Sequence, residues 1–381
     1  MYVKIVLFIL SFSLVLCINA CSEDCENYPD FDPSKPGPYL VGNSSFIFED
    51  ADRNLSCGPG KRRLVTEVWY PAVGNAGEWD LTYLRDFMLD QLEAAIEKYG
   101  EDAIKDLSTG SHRNAPLHPE AGPLPLLLFS HGFSSVRFQN YSMAEYLASH
   151  GYLVISPDHT CGAMIAPLPE GAVFFHFLNT FITIWERIGD LSFLIDQFTE
   201  DPPEMFAGRL DTGKIGIWGH SFGGWTVSET VKSDPRVSAM LQLASFGVPN
   251  LPEEIDVSSM YMWGRQDKIM HPMRTWHFEY LDLMPVPKYN LEFFDTGHFA
   301  FSDLCAYAEG SLPLDDDGCG SGRRIDTGEP FENPGHTEMH KVMNAYATAF
   351  FGAVLQDLPV HEEYIRSNHF ESMMDYEEIL E

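Results

Sequence analysis

The chain has 381 residues, of which 45% are hydrophobic and 21% charged, enough apolar material for a full core and too much for an intrinsically disordered chain. Lys and Arg number 24 against 56 Asp and Glu, a formal charge of -32. That excludes a protein whose main partner is a nucleic acid or an anionic membrane surface; a neutral, zwitterionic or cationic substrate meets less repulsion.

Residues 1–20 read as an export signal, with Lys4 as the positive start, an apolar run over 5–16 and Ala20 before the cut. The run is too short to cross a bilayer. A second reading takes Ile18-Asn19-Ala20-Cys21 as a lipoprotein processing box with a lipid anchor on Cys21. The expectation is therefore a secreted protein, extracellular or periplasmic, with tethering at the cell envelope through Cys21 as the alternative. Residues 21–61, rich in Pro, Gly, Asn and Asp, read as an extended N-terminal arm with one strand around 46–48. The β-branched, alternating segment RLVTEVWY at 63–70 predicts a strand. Leu81, Leu84, Met88, Leu92, Ile96 and Tyr99 recur at helical spacing, which predicts an inserted amphipathic helix over 80–107.

Beyond it, strands are predicted at 124–129, 152–155, 214–218, 237–243, 258–263 and 288–294, and helices at 142–149, 175–198, 222–232, 273–283 and 337–355. Strands that are apolar throughout, separated by helices, predict an α/β domain over 62–355: a mostly parallel central sheet with helices on both faces. The loop over 160–175 is apolar enough to wall a pocket, and Arg187 and Asp190 are spaced to pair across one helical turn. Residues 356–381 read as an acidic, solvated tail that packs only through Tyr364 and Ile365.

Of seven cysteines, Cys17 lies in the export signal, leaving Cys21, Cys25, Cys57, Cys161, Cys305 and Cys319. Six cysteines allow about 15 connectivities. In an exported chain disulfides form, and the expected pairs are Cys305 with Cys319 and Cys25 with Cys57, leaving Cys161 a buried thiol. With no CxxC pair or histidine cluster at ligand spacing, no metal is expected.

The chemistry enters at Gly219-His220-Ser221-Phe222-Gly223, a G-x-S-x-G motif where the apolar strand KIGIW gives way to a helical pattern. A serine on so cramped a strand-to-helix bend needs small neighbours, and the helix aims its amide groups at the place where negative charge develops. Ser221 is thus the candidate nucleophile. A serine needs a base, itself oriented by a carboxylate, and in this architecture acid and base follow in chain order on loops after later strands. Asp267 in WGRQD and His298 in DTGHF lie just past strand ends and are the candidate acid and base, against His271 and His336 as competing bases and Asp295 and Asp303 as competing acids. The backbone N–H groups of Phe222 and of Phe133, in the loop Ser130-His131-Gly132-Phe133-Ser134, are the candidate oxyanion hole. The same two phenylalanines would wall the substrate site, and His131 reads as a residue that holds its loop rather than one that moves protons.

On these residues the chain resembles the serine hydrolases of the α/β-hydrolase superfamily, and within them the platelet-activating factor acetylhydrolase and dienelactone-hydrolase-like branch. The resemblance rests on VWYPA at 68–72, LLLFSHGFSSVRFQNYSMAEYLASHGYLVISPDH at 126–159 and KIGIWGHSFGGWT at 214–226. It implies an esterase without metal or organic cofactor, acting on small-molecule, lipid or polymeric esters and not on nucleic acid. In the acetylhydrolases the acid follows the strand after the nucleophile helix; here that segment, MLQLASFG, has no carboxylate. The spacing of Ser221, Asp267 and His298 is similar instead to the cutinase-like polyesterases. The expectation is a serine carboxylic ester hydrolase for short to medium acyl chains, acetyl-phospholipid or polyester substrates included. Alternatives are an amidase or peptidase on the same triad, or an inactive hydrolase fold used for binding.

Overall fold

The computed structural model describes residues 32, 35–74, 77–83, 108–175, 177, 180–251, 255–307 and 317–380. Strands β1 (Leu40–Asn54) and β2 (Lys61–Ala72) form a long antiparallel hairpin. The short strands β3 (Leu81–Tyr83) and β4 (Ser108–Arg113) follow at one edge, and then β5 (Leu124–Ser130), α1 (Tyr141–Ser149), β6 (Leu153–Pro157) and the hairpin of β7 (Ile165–Leu168) with β8 (Gly171–Phe174). The chain continues through α2 (Thr180–Glu200), β9 (Leu210–His220), α3 (Phe222–Thr230), β10 (Val237–Leu243), β11 (Ser258–Gly264), α4 (Arg274–Leu283) and β12 (Lys288–Phe293). It closes with the short helix α5 (Leu304–Tyr307), the ribbon of β13 (Ser321–Arg323) and β14 (Pro330–Glu332), α6 (His336–Gln356), α7 (Pro359–Ile365) and β15 (Met374–Ile379).

Eleven strands make one sheet in the order β15-β12-β11-β10-β9-β5-β6-β2-β1-β4-β3. The run from β6 through β5, β9, β10 and β11 to β12 is parallel throughout, while β2 and β15 join it antiparallel on either side. Both faces are covered, which is why the central strands do not alternate in polarity. On β5, Leu127 and Phe129 pack with Trp218 against Met143 and Leu147 of α1 and Phe350 and Phe351 of α6. Leu126 and Leu128 point the other way, into Leu191, Leu194 and Ile195 of α2 and Val227 of α3. Gly216 has to be small: a β-carbon there would lie 2.7 Å from Leu127 and 2.9 Å from Phe351, which packs down from α6.

Five expectations need correction. The N-terminal arm carries a fifteen-residue strand rather than a strand confined to 46–48, because β1 pairs with β2 along most of its length. Cys57 pairs with Cys161, not with Cys25, so Cys161 is no free thiol; Cys25 lies outside the described residues. The register explains the pairing: Thr66 of β2 lies opposite Pro157 at the end of β6, so the turn before β2 overhangs the loop after β6. Cys305 and Cys319 form the second disulfide. The segment 356–381 is not a solvated tail. It supplies α7 and β15, whose Ile365 and Met374 are fully buried in the core and whose strand completes the sheet beside β12. Arg187 and Asp190 turn to different partners, described below. Of the predicted helix over 80–107, residues 81–83 form β3 and the remainder lies outside the described residues.

Candidate active site

Ser221 sits between β9 and α3 with φ 54° and ψ -122°, a left-handed backbone that a non-glycine residue holds only under the constraint of its surroundings. Three hydrogen bonds supply that constraint: its N–H donates to the Leu243 carbonyl (2.9 Å), and its own carbonyl accepts from Trp225 N–H (3.2 Å) and from Ser245 Oγ (2.6 Å). The glycines of the motif are steric necessities. A β-carbon on Gly219 would meet the backbone of Gly223 and Gly224, and one on Gly223 would meet the backbone of Ser130 and His131. The serine is thereby lifted to the carboxyl edge of the parallel strands, where open α/β sheets place their ligands.

Asp267 and His298, separated by 31 positions in sequence, meet at that edge: Asp267 Oδ2 accepts a hydrogen bond from His298 Nδ1 at 2.8 Å, both side chains being buried. The other oxygen, Oδ1, accepts from Met270 N–H at 2.7 Å. A carboxylate taking both bonds fixes the proton on Nδ1 and leaves the lone pair on Nε2, the form a general base requires. His298 opens the 3₁₀ turn His298–Phe301 that follows β12. Its carbonyl accepts from His220 Nε2 at 3.0 Å, and the two imidazole rings lie 4.8 Å apart. Since His220 directly precedes Ser221, this contact holds the His298 loop against the Ser221 turn.

The relay continues. His220 Nδ1 accepts from Gln139 Nε2 (2.6 Å), and Gln139 Oε1 accepts from Gly132 N–H (2.6 Å), so one chain of hydrogen bonds joins the His298 loop, the Ser221 turn and the loop of Phe133. Burial drives His220 well below the ordinary histidine range, with the nearby His298 adding to the effect, so it stays neutral and its tautomer matches these roles. Gln139 and His220 went unrecognised in the sequence. The only trace of either is that His220 fills the variable position of the motif.

The N–H groups of Phe133 and Phe222 flank the same edge, and neither donates to another group among the described residues. Their rings meet edge to face at 6.1 Å, Phe175 closes on Phe133 at 5.0 Å, and Trp225 stacks on Phe222 at 5.2 Å. Phe133 is 45% exposed and Trp185, which meets Trp225 at 5.6 Å, is 63% exposed. An aromatic wall open to solvent therefore borders the serine.

Behind the Phe133 loop lies a sealed polar network. Arg187 Nη2 donates to the His131 carbonyl, and Asp190 is gripped by Arg62 through two bonds of 2.5 and 2.6 Å. His159 Nδ1 lies 2.9 Å from Asp190, and its Nε2 lies 2.9 Å from Ser130 Oγ. The residue types and order mimic a catalytic triad, but Ser130, His159 and Asp190 are all wholly buried and reach no substrate. Burial lowers His159 to about 3, with Arg187 contributing, so it donates to Asp190 and accepts from Ser130 as a neutral ring. His131 is likewise held far below the ordinary range by burial first and by Arg187 second. It is a fixture of its loop, as its position in sequence suggests.

The competing candidates take no part in the Asp267–His298 pair. Asp295 pairs with Arg324, His271 is exposed in a 3₁₀ turn, and His336 donates to Asp303 at 2.8 Å. Asp303, His336 and His340 are the one group of metal-ligand type among the described residues. Asp303 is already bound there by Ser142 through both its hydroxyl and its N–H, a hydrogen-bonded knot joining α1 to α6.

Residues 60–166 match the model of the family described as platelet-activating factor acetylhydrolase, isoform II. A probable 1-alkyl-2-acetylglycerophosphocholine esterase of Arthroderma benhamiae is 31% identical over 129 residues, covering 32% of this chain and 31% of that protein. A platelet-activating factor acetylhydrolase of Cavia porcellus is 28% identical over 272 residues, covering 57% of this chain and 56% of that protein. The chain thus spans from about a third to a little over half of the curated relatives it matches. Among solved structures, the ferulic acid esterase from Streptomyces cinnamoneus superposes with a TM-score of 0.69 at 23% identity, covering 87% of this chain and 93% of that one. The fold is the α/β-hydrolase fold, and the relatives carry the names of carboxylic ester hydrolases.

Proposed function

We propose that this α/β-hydrolase, similar over residues 60–166 to the acetylhydrolase isoform II family, is a serine carboxylic ester hydrolase with Ser221 as nucleophile, His298 as general base and Asp267 as the orienting acid. The observation that carries the reading is the conjunction at one sheet edge of a serine with φ 54° and a buried Asp267–His298 pair at 2.8 Å. His298 Nε2 takes the proton of Ser221 as Oγ attacks the ester carbonyl, and the oxyanion is received by the N–H groups of Phe133 and Phe222. The tetrahedral intermediate collapses as His298 returns the proton to the departing alcohol. Water then attacks the acyl-enzyme by the same path, restoring the serine and releasing the acid. Asp267 keeps the imidazole in the required tautomer and offsets its charge when protonated.

Short to medium acyl esters, among them acetyl-phospholipids and polyesters, are the proposed substrates. The apolar surface of Phe133, Phe175 and Phe222 suits an acyl or aryl group, and the formal charge of -32 disfavours anionic ones. Two disulfides support export to an oxidising compartment. The test is labelling with a fluorophosphonate probe together with hydrolysis of p-nitrophenyl esters of increasing acyl length. Wild type is expected to label and to favour acetyl or butyryl esters, and Ser221→Ala to do neither. Folded wild-type protein that neither labels nor turns over would overturn the reading in favour of a binding protein, and a preference for amides would reassign the leaving group.

A further inference from the structure

The acid and the base stand on loops that leave two different strands, β11 and β12, so something must hold those loops at a fixed separation. Asp317 lies between them. Its Oδ1 accepts from the N–H of His298 at 3.0 Å and from the N–H of Lys268, the residue after Asp267, at 3.1 Å. Its carbonyl accepts from Phe299 N–H at 2.9 Å. Gly318 presses against the same turn, and a β-carbon there would lie 2.5 Å from Ala300 N. Next to that glycine, Cys319 is bonded to Cys305 of α5, the short helix directly following the His298 turn.

We propose that Asp317 is the positioning residue of the acid–base pair, bridging the Asp267 and His298 loops through one oxygen, and that the Cys305–Cys319 disulfide is the clamp that delivers it. The proposal rests on the serine ester hydrolase reading and deepens it. An acceptor that joins only amides does not need a charge, and this one is kept at a site where charge is unfavourable. Oδ2 is buried and has no partner among the described residues, and burial raises the carboxyl above its ordinary range, with the Asp267 carboxylate adding to the rise. Bridging by Oδ1 therefore survives replacement by asparagine, which retains that oxygen, and fails with leucine, which has none.

The experiment measures kcat and KM for p-nitrophenyl acetate, with thermal midpoints, for wild type, Asp317→Asn and Asp317→Leu. Displacing reacting groups by about 1 Å costs about 100-fold, so Asp317→Leu is expected to lose about that much in kcat with KM within about two-fold, assayed well below its midpoint. Asp317→Asn is expected to recover all but about five-fold of the rate, with a thermal midpoint no lower than wild type, since it removes an unfavourable buried charge and keeps the acceptor. A leucine variant that is folded and turns over at the wild-type rate overturns the proposal. So does an asparagine variant as slow as the leucine one, because charge rather than bridging would then be the agent. Should the leucine variant not fold, Cys305→Ser with Cys319→Ser opens the clamp while leaving Cys57–Cys161 intact. A loss of up to about 100-fold in kcat, the cost of a misplacement of about 1 Å, is expected at constant KM from the loosened support, and an unchanged kcat overturns the proposal. Wild type active with all variants unaffected removes this inference alone; wild type inactive removes the hydrolase reading and this inference with it.

Discussion

Replacing Gly223 by alanine adds one carbon where the start of α3 crosses the end of β5. That carbon would lie 2.8 Å from the His131 oxygen, 2.5 Å from the Ser130 carbonyl carbon and nearer still to the Ser130 oxygen. All three are main-chain atoms, so no rotamer change relieves the overlap. Restoring an ordinary separation of about 3.5 Å from the nearest of them requires α3 and the 130–134 loop to part by about 1.5–2 Å. Those two segments carry the N–H groups of Phe222 and Phe133. Parting them withdraws one donor from the developing oxyanion, a loss of about 100- to 1000-fold in kcat, and the overpacking lowers stability by about 1–3 kcal/mol. The assay is kcat/KM for p-nitrophenyl acetate together with the rate of fluorophosphonate labelling, with denaturant melts for stability. Gly335→Ala serves as the control, since nothing lies within 4 Å of a β-carbon there. It is expected to leave both activities unchanged within about two-fold, surface substitutions being close to neutral. A folded Gly223→Ala protein of wild-type activity would refute the assignment of the two oxyanion donors.

Other outcomes follow from the same geometry. Asp267→Asn presents an N–H or a weaker acceptor to His298 Nδ1, favours the wrong tautomer and is expected to lower kcat by about 10⁴-fold with little change in KM, measured by steady-state kinetics. The Cys57–Cys161 bond closes a loop of 104 positions and Cys305–Cys319 one of 14. Loop-closure entropy then predicts destabilisation of about 5 kcal/mol for Cys57→Ala with Cys161→Ala and about 3 kcal/mol for the other pair, read from urea denaturation. Burial raises the carboxyl of Glu145 from its ordinary 4.5 to about 8. A raised carboxyl favours folding while it is protonated in both states, and that contribution is lost as pH climbs from about 5 to about 8. Glu145→Gln is therefore expected to flatten the fall of the thermal midpoint over that interval, and an unchanged slope would show that the carboxyl ionises at its ordinary pH.

Several features were open to direct reading because their causes are local. The strand KIGIW, the glycines on either side of Ser221 and the helical pattern after it describe a bend whose steric demands fall within a few residues, and the backbone of Ser221 meets them. The central strands were legible because burial on both faces removes polar residues from the whole run, as Leu124–Ser130 illustrates. The meeting of Asp267 with His298 follows from chain order, since loops after adjacent parallel strands emerge at one edge. The final strand was missed for a related reason. Met374, Asp375, Tyr376, Glu377, Glu378 and Ile379 carry three acidic side chains, and an edge strand in contact with solvent looks in sequence like a charged tail.

By itself, then, the amino-acid order determined the parallel architecture, the cramped turn at Ser221 and the strand ends from which Asp267 and His298 emerge. Each depends on residue period or on the size of immediate neighbours. Tertiary structure alone decided that Cys57 finds Cys161, that Gln139 and His220 wire the His298 loop to the Phe133 loop, that Ser130, His159 and Asp190 are sealed from solvent, and that Asp317 spans the Asp267 and His298 loops. Those contacts depend on strand register and on where distant loops close, and a register shift of one residue, invisible to composition and period, would have redistributed every one of them.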